Sequence, residues 1–246
     1  MNGHWDAMDS STIKKDDSNF VDSWLDKNQH YDLKASGENR PKYVLNAINN
    51  VAAIDFTGAN VGLVSDLKYS NGPNDPFTWI MAVKPTITAN QAYNIFTTSD
   101  NNWNGLNINR GDFHPVAAST KGVHAWAGNQ KSNLQDHRIT ANELTILTVK
   151  YDGKEASVYW NMNKMAAFAP DSAVWERGPV GYVSMGLGIQ NDRHDYSGFI
   201  GEVLTYNVAL ESPILDEMIE AMSTKWTTGK QWKKSGYIFP IIYSNY

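Results

Sequence analysis

Short apolar and aromatic runs recur along most of the chain, separated by turns rich in Gly, Asn, Asp and Pro. Such spacing is typical of the antiparallel strands of a β-sandwich. The pattern predicts strands at residues 52–57, 77–84, 93–98, 105–109, 123–127, 144–151, 155–160, 182–189 and 198–207. Antiparallel runs of this kind pack as two facing sheets, so we expect an all-β fold.

The stretch from Tyr196 to Trp226 changes from strand chemistry to helix chemistry within one unit. Its first part mixes Gly with β-branched and aromatic residues, as strands do. After Leu210, apolar residues recur at helical spacing, and these are Ile214, Leu215, Met218, Ile219 and Met222. This spacing predicts a short amphipathic helix after the last strand.

A hairpin is the clearest local signal, at residues 151–154 with the sequence Tyr-Asp-Gly-Lys. Asp-Gly supplies the positive φ angles that a two-residue turn requires. The run that follows alternates in the way a strand with one buried face does. We therefore expect a two-residue turn between two paired strands.

Short motifs follow one another in order from residue 4 to residue 226. Their residues are Trp5, Asp6, Asp9, Ser11, Thr12, Ile13, Val21, Trp24, Asp26, Lys27, Arg40, Pro41, Tyr43, Ala53, Ile54, Asp55, Phe56, Gly58, the run 77–85, Gly198, Ile200, Glu202, Tyr206, Leu210, Lys225 and Trp226. Together they resemble the laminin-G-like, concanavalin A-like jelly rolls found in bacterial surface proteins and in phage virion proteins.

The resemblance implies an antiparallel jelly-roll sandwich with a short C-terminal helix and an extended tail. Two turns depart from the family pattern. Asn28-Gln29 stands where Ser-Gly is usual, and residues 161–164 lack the usual Gly. The geometry of both turns is left open.

The chain has 246 residues and no cysteine. This length suits one large β domain, and we expect a jelly-roll domain at residues 1–226 followed by a tail at residues 227–246. Without disulfides, stability has to come from a core of aliphatic and aromatic side chains. Such a chain can fold in a reducing compartment.

The first ten residues lack the apolar run of a secretory signal peptide, and no apolar run has the length of a membrane span. The formal net charge of −5 disfavours phosphate binding. We expect neither a nucleic-acid partner nor membrane insertion. The basic cluster Lys225, Lys230, Lys233 and Lys234 is expected to solvate a helix end. A virion protein that folds in the host cytoplasm before assembly fits these features.

The tail at residues 227–246 is dense in aromatic residues but too short to form its own core. Two interpretations stay open. The tail returns across its own sandwich as an edge strand, or it docks onto another virion protein or a further copy of the chain. The docking residues would be Trp232, Tyr237, Phe239, Ile242 and Tyr243.

Two tryptophans lie among amides, a combination that suits the apolar face and the hydroxyls of a sugar. Trp103 is flanked by Asn101 and Asn104, and Trp126 is followed by Asn129. We expect these residues to bind a host surface glycan. Trp126 is equally compatible with a core position, because its apolar neighbours alternate around it.

Neither cysteine nor histidine occurs at the spacing of a transition-metal site. No cofactor is expected, and calcium is the one ion for which the chain has candidate loops, since residues 99–102 and 191–195 supply carboxylate and amide oxygens. Its ligands would include Asp100, Asp192 and Asp195. Ordinary turn formation is the favoured explanation for both loops, and calcium binding is the alternative.

No pattern of catalytic residues is evident. Jelly-roll glycosidases need paired acids on one strand face, and this chain has no such arrangement. Glu202 is expected to be structural, bonding a backbone group or a neighbouring turn. Together with this absence, the resemblance to the jelly-roll family implies a non-catalytic attachment protein of a phage virion surface that binds host glycans. The alternatives are a structural decoration subunit without a glycan site and a polysaccharide hydrolase.

Overall fold

The structure, a computed structural model, describes residues 1–36, 39–70, 72, 74–86, 92–98, 105–110, 121–127, 130–131, 141–169, 180–187 and 196–230. Its strands are β1 (Gly3–Asp6), β2 (Ile13–Lys15), β3 (Val21–Trp24), β4 (Leu33–Ala35), β5 (Lys42–Ile48), β6 (Val51–Asp55), β7 (Leu63–Ser70), β8 (Phe77–Pro85), β9 (Ala92–Thr97), β10 (Gly105–Arg110), β11 (Lys121–Ala127), β12 (Gln130–Lys131), β13 (Thr145–Tyr151), β14 (Ala156–Trp160), β15 (Asn163–Phe168), β16 (Val180–Met185) and β17 (Gly198–Tyr206). A 3-10 helix spans Ser10–Thr12, and the helix α1 spans Ile214–Thr228.

The strands form two antiparallel sheets. In sheet A the order is β15-β14-β13-β8-β17-β6-β5, and β1 and β6 pair with successive parts of β17. In sheet B the order is β12-β11-β10-β9-β16-β7-β4-β3-β2. Neighbouring strands such as β8 and β17 are far apart in sequence, because the chain crosses between the layers. This arrangement confirms the predicted jelly-roll sandwich with a C-terminal helix.

Aromatic residues form the centre of the core between the sheets. On β8, the ring centroids of Phe77 and Trp79 are 4.4 Å apart, and Trp79 meets Phe96 of sheet B edge-on at 5.0 Å. Alternate residues of a strand face opposite sides, so Ile80 faces away from sheet B. It is buried nonetheless, because α1 covers that outer face of sheet A. Burial on both faces explains why β8 is apolar at most positions.

Helix α1 packs on the outer face of sheet A, against β8, β13 and β17. Its buried apolar residues are Leu215, Met218, Ile219, Met222 and Trp226. The Trp226 ring lies over Gly201 of β17, where an added Cβ would come within 2.4 Å of the ring. Gly201 therefore sets how closely the helix approaches the sheet. The helix ends at Gly229, which has a φ of 68°.

A buried ion network joins α1 to β1 and β17. The Lys225 ammonium donates to Asp6 Oδ2 at 2.9 Å and to Glu202 Oε2 at 2.6 Å. Trp226 Nε1 donates to the same Glu202 oxygen at 2.8 Å, and His4 Nε2 lies 2.8 Å from Glu202 Oε1. Two expectations need correction here. Lys225 is buried rather than solvating a helix end, and Glu202 binds side chains rather than the backbone or a turn.

Asp26 of the opening motif organises the loop that follows β3. It is 2 % exposed, and its carboxylate accepts hydrogen bonds from the backbone N–H groups of His4, Asn28, His30 and Tyr31. Gln29 has a φ of 62° and donates its N–H to the Asp26 carbonyl at 2.8 Å. A positive φ therefore occurs where the family's pattern has Gly, although this chain has Gln.

All nine predicted strands are present, and their ends differ from the prediction by at most four residues. The strands that the pattern missed are β1 to β5, β7, β12 and β15. Several are only two to four residues long, and β5 and β7 carry exposed side chains such as Leu45 and Leu67. Short or half-exposed strands give a weak periodic signal, which explains the omissions.

The predicted hairpin at residues 151–154 is present, but its turn is longer than expected. Tyr151 pairs with Ala156, so four residues form the loop. Asp152 Oδ1 accepts the N–H groups of Lys154 and Glu155, both at 2.8 Å. The Asp side chain thus closes a four-residue loop in place of a two-residue turn.

Lys225→Met should destabilise the protein, because Glu202 would lose its lysine partner and Asp6 would keep only Lys27, whose ammonium lies 3.7 Å away. Removing one partner of a buried ion pair costs about 3–5 kcal/mol, and we expect the free energy of unfolding to fall by that amount in a urea titration followed by tryptophan fluorescence. Lys230→Met, at an exposed position beyond the helix, is the control and should cost less than about 0.5 kcal/mol. Equal stability of the two variants would contradict the structural role of the network.

Acid should destabilise the fold through Glu202. Burial favours the neutral carboxyl, but the His4 hydrogen bond and the Lys225 charge outweigh burial and lower the pKa of Glu202 from 4.5 to about 2. A carboxyl with a lowered pKa stabilises the fold above its unfolded pKa, and this stability is lost as the pH falls through the folded value.

Between pH 4.5 and pH 2 the wild type should therefore lose about 3 kcal/mol more unfolding free energy than Glu202→Gln. Urea titrations at each pH measure this difference. Glu143→Gln, at an exposed position, should keep the wild-type pH dependence. A wild-type slope in Glu202→Gln would show that the network does not hold an ionised Glu202.

Candidate functional site

The residues predicted to bind a glycan, calcium or a partner lie outside the described residues, except that the backbone of Trp126 is described. Those outside are Asn101, Trp103, Asn104 and Asn129 for a glycan, Asp100, Asp192 and Asp195 for calcium, and Trp232, Tyr237, Phe239, Ile242 and Tyr243 for docking. The backbone of Trp126 lies in β11, paired with Gly105 and Lys131. All these assignments stay predictions.

One cluster within the described residues has the chemistry of a metal site. Single ligand atoms of His4, Asp6 and Glu202 lie within 4.8 Å of one another. The Lys225 ammonium, however, contacts both carboxylates and occupies the position where a cation would be needed. The cluster is thus a neutralised part of the ion network, and its chemistry does not fit a metal ion.

A polar groove beside α1 is the better candidate. It has a volume of about 320 Å³ and lies on the outer side of sheet A. The end of α1, the end of β8, and the turns before β6, before β13 and after β14 form its walls. The lining residues are Asn49, Lys84, Asn142, Glu143, Leu144, Asn161, Ser223 and Thr227.

Three of these lining residues are turn asparagines with left-handed backbone conformations. The φ angles are 48° at Asn49, 67° at Asn142 and 54° at Asn161. Asparagine tolerates this region better than most residues with a Cβ, which explains its use at these turns. At Asn161, β14 and β15 are joined by a two-residue turn, since Trp160 pairs with Asn163. The turn that the sequence left open is therefore tight.

Backbone contacts hold two of the carboxamides in place. Asn49 Nδ2 donates to the Trp226 carbonyl at 3.0 Å, and Asn161 Oδ1 accepts the Ile146 N–H at 3.0 Å. These bonds leave Oδ1 of Asn49 and Nδ2 of Asn161 without a partner among the described residues. The groove therefore offers both an acceptor and a donor on fixed side chains.

The groove also carries one charge of each sign. Lys84 is half-buried, and its ammonium donates to the Ala47 carbonyl at 3.0 Å. Glu143 is exposed. The hydroxyls of Ser223 and Thr227 add further donors and acceptors. This set of amides, hydroxyls and charges suits a ligand rich in hydroxyl groups.

Sequence reasoning missed the groove because its residues come from five separate segments. Each of them, taken alone, resembles an ordinary turn or helix-end residue. Lys84 lies in the motif run 77–85 and Asn161 in a turn that the sequence singled out, but neither pattern indicates a ligand site. The recurrence of Asn between predicted strands is a signal for turns. It does not indicate which of these turns lie next to one another in the fold.

Within the described part of the chain, no helix has the length and apolar character that crossing a membrane requires.

No protein-family model matches the chain, and no curated protein sequence matches it. Solved structures nevertheless share its fold. Domain 4 of AbnA, an extracellular arabinanase from Geobacillus stearothermophilus solved in complex with arabinotriose, has a TM-score of 0.63 and 14 % identity. The similarity covers 89 % of this chain and 97 % of that one.

Two further solved structures share the fold with lower TM-scores. A sialidase from Trypanosoma rangeli has a TM-score of 0.58 and 13 % identity, over 88 % of this chain and 32 % of the sialidase. A heptameric SAP-like pentraxin from Limulus polyphemus has a TM-score of 0.51 and 13 % identity, over 68 % of this chain and 81 % of that one. At these identities the similarities show the fold alone, an antiparallel jelly-roll sandwich.

Asn161 should tolerate glycine better than alanine. Both changes remove the hydrogen bond to Ile146, but alanine also has to adopt a left-handed conformation at a cost of about 1–2 kcal/mol. We expect Asn161→Ala to be less stable than Asn161→Gly by about 1 kcal/mol in urea unfolding. The neighbouring exposed Met162, whose φ is not positive, should show the opposite order. The same order at both positions would contradict the backbone geometry of this turn.

Proposed function

We propose that this protein is a non-catalytic carbohydrate-recognition module and that the polar groove is its glycan site. The groove is the single observation that carries this proposal. It brings three carboxamides, two hydroxyls and two charged groups to one place. Sugar hydroxyls both donate and accept hydrogen bonds, so they need such mixed partners.

The size and rigidity of the groove support binding of a small part of a glycan. Its volume of about 320 Å³ is at the lower end of ligand sites, which run from about 300 to about 1,000 Å³. Asn49 and Asn161 are fixed by backbone contacts at 3.0 Å each. Fixed side chains lose little conformational entropy on binding, which favours affinity.

The structural similarities are compatible with this function. The arabinanase domain that resembles the chain over nearly its whole length was solved with arabinotriose, and a second similar structure is a sialidase. Both act in carbohydrate chemistry. At such low sequence identity, the ligands of these two proteins do not identify the sugar that this chain binds.

The composition of the groove favours binding over hydrolysis. Hydrolysis of a glycosidic bond ordinarily uses two carboxyl groups, about 5 to 9.5 Å apart. Glu143 is the one carboxylate among the lining residues of the described part of the chain. The buried Asp6 and Glu202 are paired with Lys225, away from solvent.

We further propose the surface of a phage virion as the setting, with host glycans as ligands and other virion proteins as partners of the tail. The resemblance of the sequence motifs and the lack of cysteine support this setting. A decoration subunit with no glycan site is the alternative function. It predicts binding to virion proteins only.

A glycan array tests the site. Asn142→Gly keeps the positive φ that glycine favours and removes a carboxamide from the groove. We expect it to weaken binding of any glycan recognised by the wild type by about threefold to tenfold, the value of one net hydrogen bond. Asn50→Gly is the matched control, because Asn50 also has a positive φ, 63°, and does not line the groove.

Trp103→Ala in the same array separates the groove from the predicted loop site. Loss of binding in Trp103→Ala with full binding in Asn142→Gly would move the site to the loop and reject the groove. Absence of any glycan signal from the wild type would favour the decoration subunit instead.

A further inference from the structure

The groove contains one positive charge that is already held in position. Lys84 Nζ donates to the Ala47 carbonyl at 3.0 Å and lies 5.7 Å from the centre of the Phe199 ring. It forms no ion pair among the described residues. An ammonium has three donors, so two of them have no partner among the described residues and can serve a ligand.

We propose that the groove selects acidic glycans and that a sugar carboxylate binds Lys84. This inference rests on the function proposed above and adds the class of ligand. A hydrogen bond between two charged groups is about twice as strong as one between neutral groups. The carbonyl and the ring restrict the ammonium before binding, which reduces the entropy lost when a ligand contacts it.

Glu143 does not cancel this preference. Its side chain is exposed, so water and salt screen its charge, whereas Lys84 is half-buried. A carboxylate in the groove can also accept hydrogen bonds from sugar hydroxyls. Glu143 therefore suits the neutral part of an acidic sugar, while Lys84 suits its charged group.

Asn161 supplies a second type of donor for the same ligand. Its Oδ1 is occupied by the Ile146 N–H, which orients the carboxamide and leaves the two Nδ2 protons for other acceptors. An ionised carboxylate has two acceptor oxygens, so an ammonium and an amide in one groove match it better than they match a single hydroxyl.

The overall charge of the chain opposes a general affinity for polyanions. With a net charge of −5, long-range electrostatics repel an acidic polymer. Selection by the groove would therefore be a short-range effect. We expect it to persist at physiological salt, where charges more than about 8 Å apart are largely screened.

The test compares acidic oligosaccharides with their methyl esters. Oligogalacturonates and oligomannuronates are printed on a glycan array beside their methyl esters. The esters keep the sugar rings and hydroxyl groups but lose the negative charge. We expect the wild type to bind at least one free acid about tenfold more tightly than its ester. Lys84→Gln should reduce this preference to within about twofold. Lys154→Gln, which changes the net charge equally at an exposed hairpin residue, should retain it.

Each other outcome rejects a defined part of the proposal. Equal binding of acids and esters would overturn the acidic selectivity and leave glycan recognition in place, provided that Asn142→Gly weakens both. A preference that survives in Lys84→Gln, with an unchanged urea midpoint, would overturn the assignment to Lys84. Absence of binding to acidic and neutral glycans alike would overturn both the selectivity and the proposed function.

Discussion

The contact of the Lys225 ammonium with Asp6 and Glu202 is the constraint on which the rest of the structure depends. It joins a helix near the end of the chain to a strand 219 residues earlier and to the central strand β17. Burying three charges is costly, so such a network contributes little net stability over an apolar packing. The network instead fixes the position of the helix, since displacing the helix would leave a buried charge unpaired.

The position of α1 in turn determines the groove. Ser223 and Thr227 lie on the same helix as Lys225, and the Trp226 carbonyl accepts the hydrogen bond from Asn49 at 3.0 Å. Two walls of the groove are therefore attached to the helix end that the ion network holds. A shift of α1 would therefore change the groove, and closer approach of α1 to the sheet is blocked because the Trp226 ring lies over Gly201. The geometry of a surface site thus depends on a buried contact below it.

Long, strongly patterned elements could be predicted from the sequence, and contacts between distant segments could not. β8, β13 and β17 are buried at nearly every position because sheet A is covered on both sides at its centre, and α1 carries its buried apolar residues at helical spacing. The hairpin after Tyr151 was recognised from Asp-Gly, but its loop length depends on the Asp152 side chain, which local propensity does not specify. The role of Lys225 was missed because a lysine in a final helical turn is usually solvated. Nothing in the sequence near residue 225 indicates partners at residues 6 and 202.

The asparagines of the groove show that the meeting of several segments at one place indicates a site better than residue type does. Among the described residues, seven that are not glycine have a positive φ, and six of these are asparagine. Asparagine is thus the usual solution of this chain for a left-handed turn, inside the groove and elsewhere, so its presence at any one turn indicates only backbone geometry. The distinctive feature is that three such turns meet beside a half-buried lysine that has no carboxylate partner among the described residues. Turn chemistry accounts for each asparagine separately, but it does not account for Lys84 placed among them.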